Sequence, residues 1–175
     1  PVEQLYRDNR LNPIHEGTTG VQSLDLLGRK VPMNNFAGYS ACLNAMQETI
    51  EAAKASDALS GYADQLTEAI VTLKKTTETV LGATQSMNLD AAFSNSVKYL
   101  ELFGNVVIAW MWLKQGIVAD KALAKQPHES DEHFYRGKLQ AMQYFFRAEL
   151  PEINHWAKLI SDLDTTNYDM QAEWF

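Results

Sequence analysis

The stretch LDAAFSNSVKYLELFGNVVIAWMWLKQGIVADKAL, Leu89 to Leu123, decides the fold. It contains no proline and is far too long for a strand. Apolar residues recur along it at helical spacing, with Phe93, Val97, Leu100, Phe103, Val107, Trp110 and Ile117 as the expected stripe. Asn88 stands just before it and reads as an N-cap, because a side-chain oxygen there accepts from unpaired backbone donors. The longest apolar run, Val106 to Leu113, is eight residues. That is too short to span a bilayer, so no membrane span is expected.

Three further helices flank this one. About Phe36 to Ala55 carries Tyr39, Leu43, Met46 and Ile50 on one side, and about Gly61 to Gly82 carries Tyr62, Leu66, Ile70, Leu73, Thr77 and Val80. The last starts at Ser130, read as an N-cap followed by Asp131 and Glu132, which suit the positive end of a helix dipole. Its stripe is Phe134, Met142, Phe145, Ile153, Trp156 and Ile160, and Pro151 should kink or break it near Glu149. Connections are short and no segment alternates with period two. Short loops between long helices favour antiparallel neighbours, so the expected fold is an all-α, up-and-down four-helix bundle.

The 175 residues are enough for one ordinary core. Hydrophobic residues make up 46% and charged residues 21%, a globular rather than a disordered composition. A net charge of −7 lacks the clustered Lys and Arg of a nucleic-acid footprint, so no nucleic-acid partner is expected. Cys42 is the only cysteine, which excludes an intramolecular disulfide and makes a reducing, cytoplasmic setting the default.

Ahead of the bundle, Val2 to Leu11 reads as a helix with Val2, Leu5 and Tyr6 along one side, stopped by Pro13. His15 to Gly20 reads as a turn and Val21 to about Val31 as the next helix. Pro32-Met33-Asn34-Asn35 then breaks the chain, which divides it into residues 1–31 and a bundle over 35–175. The chain opens at Pro1 inside what reads as helix, as expected of a piece of a longer protein.

Arg7-Asp8, then Glu16-Gly17-Thr18, Val21-Gln22 and Gly28-Arg29-Lys30 follow one another in order between Tyr6 and Lys30. This series resembles the C-terminal end of the acyl-CoA dehydrogenase family: a helix ending in Arg-Asp, a Glu-Gly-Thr turn, Ile-Gln, and a helix closing near Gly-Arg-Lys. Ordered, spaced matches are far more specific than an isolated Glu-Gly-Thr. They cover about one seventh of the chain. The rest looks like the extra C-terminal helical domain of a larger bacterial branch that includes enzymes acting on methylmercaptopropionyl-CoA, and Thr19-Gly20 also looks like that branch. On this resemblance residues 1–31 end the dehydrogenase domain and 35–175 are appended to it.

The resemblance implies an FAD-dependent oxidoreductase of fatty acid metabolism that introduces an alpha,beta double bond into an acyl-CoA thioester. It implies a homo-oligomer that passes electrons to an electron-transfer flavoprotein. Glu16 would be the base that takes the alpha proton, a task that needs a carboxylate with a pKa raised by water exclusion. Thr18, Thr19 and Gly20 match positions that lie along the FAD, and glycine at 17 and 20 allows close backbone approach. His15 stands where the family usually has Tyr, and some members place their base on another helix. The 175 residues alone would lack the parts that enclose flavin and substrate, and would be inactive.

Residue types alone leave other readings open. An acid such as Glu16 is favoured at a helix start by the dipole without any catalytic role. The chain could equally be a non-catalytic helical oligomerisation module. Glu152-x-x-His155 has di-iron spacing, but no second Glu-x-x-His accompanies it, so no metal is expected. Trp110, Trp156, Phe103, Phe145 and Phe146 read as core, and Trp112 lies off the main stripe, where it would face a partner surface. Cys42 reads as a buried, inert thiol.

Overall fold

The computed structural model describes residues 2–11 and 18–175. The Pro13 stop, His15, the Glu16 base and Gly17 lie outside those residues. Among the described residues every regular element is helical, as expected. The elements are α1 (Val2–Asn9), α2 (Thr18–Asp25), α3 (Met33–Lys54), α4 (Asp57–Gln85), α5 (Leu89–Phe93), α6 (Ser96–Leu123), α7 (Glu129–Tyr144) and α8 (Glu152–Ser161). Single π-helical turns, Leu26–Lys30 and Phe145–Glu149, extend α2 and α7. The four rods of the bundle are α3, α4, α6 and the α7–α8 pair.

Cross-contacts fix the directions of the rods. Thr77 meets Tyr99 while Leu59 lies beside Gly116, so α4 and α6 are antiparallel. Gly116 meets Met142 and Asn105 donates to the Glu149 carbonyl, so α6 and α7 are antiparallel too. Tyr39 reaches Thr77 and Lys54 reaches Asp64, which reverses α3 against α4. These pairings are those of an up-and-down bundle.

The centre of the bundle is α6, which touches α2, α3, α4, α7 and α8. Its buried residues are Ser96, Tyr99, Leu102, Val106, Ala109, Leu113, Gly116 and Ala119, and from Tyr99 to Gly116 the steps alternate between three and four as in a heptad seam. The stripe expected from sequence lies beside this seam. Phe93, Phe103, Val107, Trp110 and Ile117 are half-buried and pack against the core from its flanks. A helix apolar nearly all round has no strong period of its own, and small Ala109 and Gly116 are the residues that let neighbouring helices come close. By length and composition Ser96–Leu123 could cross a membrane; here its seam forms the bundle interior.

Gly116 shows how tight that interior is. A Cβ there would sit 2.4 Å from Met142 Sδ and 3.5 Å from Leu59 Cδ2. Gly116→Leu is expected to destabilise the bundle by about 1–3 kcal/mol, read as a lower urea midpoint at unchanged slope. Adding Met142→Ala should recover part of the loss, because the two changes share one space.

Two expected caps are corrected. Asn88 makes no side-chain cap bond, and Ser130 lies inside α7, whose cap is His128: its Nδ1 accepts from the Ser130 N–H at 3.3 Å. The long third helix is interrupted as well. Ser94, Asn95 and Ser96 can bond to nearby backbone, which competes with helix continuation. Ser94 Oγ shares its proton between the Ala91 carbonyl at 3.1 Å and the Asp164 carbonyl at 2.9 Å, Asn95 Nδ2 donates to the same Asp164 carbonyl at 2.7 Å, and Asn167 Nδ2 donates to the Ser94 carbonyl at 2.6 Å. On α7, Phe134 is exposed rather than core, while Phe146, in the π-turn that follows and read as core from sequence, is fully buried. The Pro151 interruption occurs where expected: Leu150 N–H bonds to the Phe145 carbonyl, and Pro151 starts α8.

The helical path is interrupted within the Pro32–Asn35 stretch and at the residue after it. Asn34, Asn35 and Phe36 have φ of 51°, 54° and 64°. Asparagine tolerates this left-handed region and Phe does not, but the Phe36 ring is held against the core.

Candidate functional site

The segment carrying the sequence motif meets the bundle through α2. Ser23, Leu27 and Val31 recur every four residues and fall on one face, and all three are buried. Ser23 Oγ donates to the Gly20 carbonyl at 2.8 Å and lies 3.1 Å from Ser96 Oγ, at the first turn of α6. Since the Ser23 proton is used on Gly20, Ser96 donates to Ser23. Leu27 and Val31 enter the same core cluster as the bundle residues. Gly28 faces the Phe93 ring, and a Cβ there would stand 3.2 Å from its edge. Of the motif's Gly-Arg-Lys, Gly28 is thus the residue that meets α5, while Arg29 and Lys30 are exposed. None of these partners was foreseen, although the four-residue spacing of Ser23, Leu27 and Val31 was legible.

These contacts hold the opposite face of α2 open. Thr18, Thr19 and Gly20 form its first turn, where a turn was expected from sequence with helix beginning only at Val21. The Ser23–Gly20 bond extends the helix one turn earlier than glycine and threonine propensities suggest. Thr19 and Gly20 are exposed, Thr18 is half-buried, and nothing lies within 4 Å of a Cβ built at Gly20. Backbone N–H groups of a first helical turn have no partner within the helix and carry partial positive charge. With the exposed Thr19 hydroxyl beside them, such groups are of the type that binds oxygens of polar or anionic ligands. At the far end of α2, Arg29 bonds Asp25 and holds its carboxyl below the usual carboxylate range.

The other chemical groups do not converge on this turn. Trp110 Nε1 donates to Thr49 Oγ1 at 2.7 Å, with Lys114 Nζ 5.2 Å from its ring. Trp112 is half-buried against the core beneath Lys138, and Trp156 lies beneath Lys98. Burial pushes the Cys42 thiol up. Tyr99 donates to Thr77 Oγ1 at 2.8 Å, and Thr77 passes its own proton to the Leu73 carbonyl at 2.7 Å. Burial raises the Tyr99 phenol well above its ordinary pKa. Glu152 and His155 are both exposed, and among the described residues no three of His, Cys, Asp and Glu gather as metal ligands.

The motif-bearing helix α2 is thus docked on the central rod of an all-helical bundle. Comparison with known proteins gives the family. Residues 42–171 match the acetyl-CoA dehydrogenase C-terminal-like family, and the chain belongs to it. The chain is 32% identical to 3-methylmercaptopropionyl-CoA dehydrogenase of Ruegeria pomeroyi over 92% of its length, covering 27% of that protein. It is 24% identical to a broad-specificity linear acyl-CoA dehydrogenase of Mycobacterium tuberculosis over its full length, and 26% identical to butyryl-CoA dehydrogenase of Syntrophomonas wolfei over 97%. It spans about 30% of the length of the curated relatives it matches.

Proposed function

We propose that this chain is part of an FAD-dependent acyl-CoA dehydrogenase that desaturates an acyl-CoA thioester between its alpha and beta carbons. The observation that carries the reading is the first turn of α2, where Thr19 and Gly20 are exposed and Thr18 is half-buried. It directly follows Glu16-Gly17 in sequence and is pinned to the bundle by Ser23. Family membership and the three acyl-CoA dehydrogenase relatives support the enzyme class.

In this reading Glu16 takes the alpha proton onto a carboxylate oxygen. Bound FAD supplies the acceptor for the hydride that leaves the beta carbon. The Thr18 and Thr19 hydroxyls and the first N–H groups of α2 bind polar oxygens of the cofactor, a role their donor chemistry fits. The backbone at Gly20 lets the ligand approach closely. Residues 1–31 close the dehydrogenase domain, and residues 35–175 support it as a bundle that either stabilises a homo-oligomer or shapes the substrate entrance. Electrons pass on to an electron-transfer flavoprotein in the cytoplasm.

The test is flavin spectroscopy on the longer enzyme of which this chain forms part. Under anaerobic conditions a substrate acyl-CoA should bleach the oxidised flavin band, and no bleaching with any acyl-CoA would overturn the reading. The 175 residues alone are expected to leave FAD fluorescence unquenched in titration, because one helix turn offers donors without enclosure. Saturable quenching would show that the bundle itself holds the cofactor.

A further inference from the structure

We propose that Ser96, through its hydrogen bond to Ser23, is a positioning residue for the first turn of α2, so that the bundle sets where the groups acting on flavin and substrate stand. The inference rests on the proposed roles of Glu16 and of Thr18, Thr19 and Gly20, and it gives the bundle a task besides support.

Three buried side chains hold α2 and its π-turn on the bundle: Ser23, Leu27 and Val31. They differ in kind. Apolar contact is non-directional, so Leu27 and Val31 fix how deep the helix lies and little about how it slides or turns. A hydrogen bond depends on distance and angle, and Ser23 makes one to Ser96 across 3.1 Å, with both side chains buried. The three differ in place as well. Along a helix axis Ser23 stands roughly 6 Å from Thr19, Leu27 roughly 12 Å and Val31 roughly 18 Å. The directional contact is therefore the one nearest the turn. The second bond of Ser23, donated to the Gly20 carbonyl at 2.8 Å, carries the constraint into the turn itself.

Ser96 is held from its own side. It opens α6 directly after the Ser94–Asn95 break, where Ser94 Oγ and Asn95 Nδ2 both donate to the Asp164 carbonyl. One turn further on, Tyr99 is fully buried and bonded to Thr77 of α4. The Ser96 hydroxyl is thus a fixed point, and α2 takes its position from it. On the outward side Thr19 and Gly20 are exposed, and nothing lies within 4 Å of a Cβ built at Gly20. Without the Ser96 bond, Leu27 and Val31 would have to hold the first turn from farther along the helix. A misplacement of about 1 Å at a reacting group can cost roughly 10²-fold in rate.

Steady-state kinetics and FAD titration of the longer enzyme test this. Ser96→Ala should lower kcat roughly 10-fold, a fraction of that limit, and should weaken FAD binding measurably. The KM for acyl-CoA should stay within about twofold, since no contact made equally in ground and transition states is lost. Ser23→Ala removes both bonds and should cost more. Ser96→Ala added to it should cost nothing further, because the partner is already gone. Gly116→Leu strains the same helix about 30 Å away, and below its melting range it should keep the wild-type kcat and FAD affinity. The proposal falls if Ser96→Ala keeps both wild-type values, if the two serine substitutions add, or if Gly116→Leu reproduces their losses. Glu16→Gln, measured alongside, separates this proposal from the reading beneath it. With that variant inactive, a normal Ser96→Ala refutes the positioning role alone. A fully active Glu16→Gln refutes the base assignment itself and leaves Ser96 no base to position.

Discussion

Glu16→Gln in the longer enzyme is expected to lower turnover by roughly 10²–10⁴-fold, the contribution of a positioned general base, while the flavin stays bound. Gln keeps the shape and hydrogen-bonding reach of the side chain and loses only the basic oxygen. The readouts separate these effects. The oxidised flavin spectrum reports the cofactor site, and the rate of substrate-driven bleaching reports proton removal. The same substitution should abolish exchange of the substrate alpha proton with solvent deuterium. A variant that bleaches at the wild-type rate would end the assignment, and the base would then have to lie on another helix, as in some members of the family that the motif resembles. A variant that loses its flavin would point instead to a cofactor-binding role.

The second large effect is structural. Phe146 is fully buried at the π-turn between α7 and α8, with its ring 5.2 Å from Tyr62 of α4 in an edge-to-face arrangement. Phe146→Ala removes the ring and leaves a cavity where three rods meet. The expected cost is about 3–5 kcal/mol, a large share of the 5–15 kcal/mol typical of a whole domain. For a chain of this size it corresponds to a fall in Tm of roughly 6–20 °C. Phe146→Leu, which keeps most of the volume, should lose far less. Thermal melts of both variants decide the matter: equal losses would mean that the ring-to-ring contact, not the filled volume, is what counts.

The sequence made the architecture legible because its punctuation is strong. Pro151 interrupts the last rod where expected, and Pro32 to Asn35 mark the turn into the bundle. What it hid is the register of α6. Large residues drew the expected stripe to Phe103, Val107 and Trp110, but the seam runs through Tyr99, Leu102, Val106 and Ala109, where small side chains let neighbours approach. Helix ends were the other weak point. Asn88 and Ser130 have capping chemistry without the required geometry, and His128 caps with a ring nitrogen that composition does not advertise. For the candidate site, residue types alone could not separate a catalytic Glu16 from an acid at a helix start; the ordered matches from Arg7 to Lys30 favour the first, and the Glu16→Gln measurement decides between them. The pinning of the turn through Ser23 and Ser96 depends on residues 73 apart in sequence, a pairing that no local pattern encodes.

The π-turn at Phe145–Glu149 also constrains how this family can vary in length. It takes one more residue than an α-helical turn, and Ile153, Ala157 and Ile160 face the core with that surplus included. A homologue one residue shorter here would run as plain α-helix, and everything downstream would swing by about 100°. Its apolar residues would then have to be displaced by one position to reach the same interior. An alignment gap between Phe145 and Glu149 should therefore be accompanied by a shifted hydrophobic pattern through the final helix.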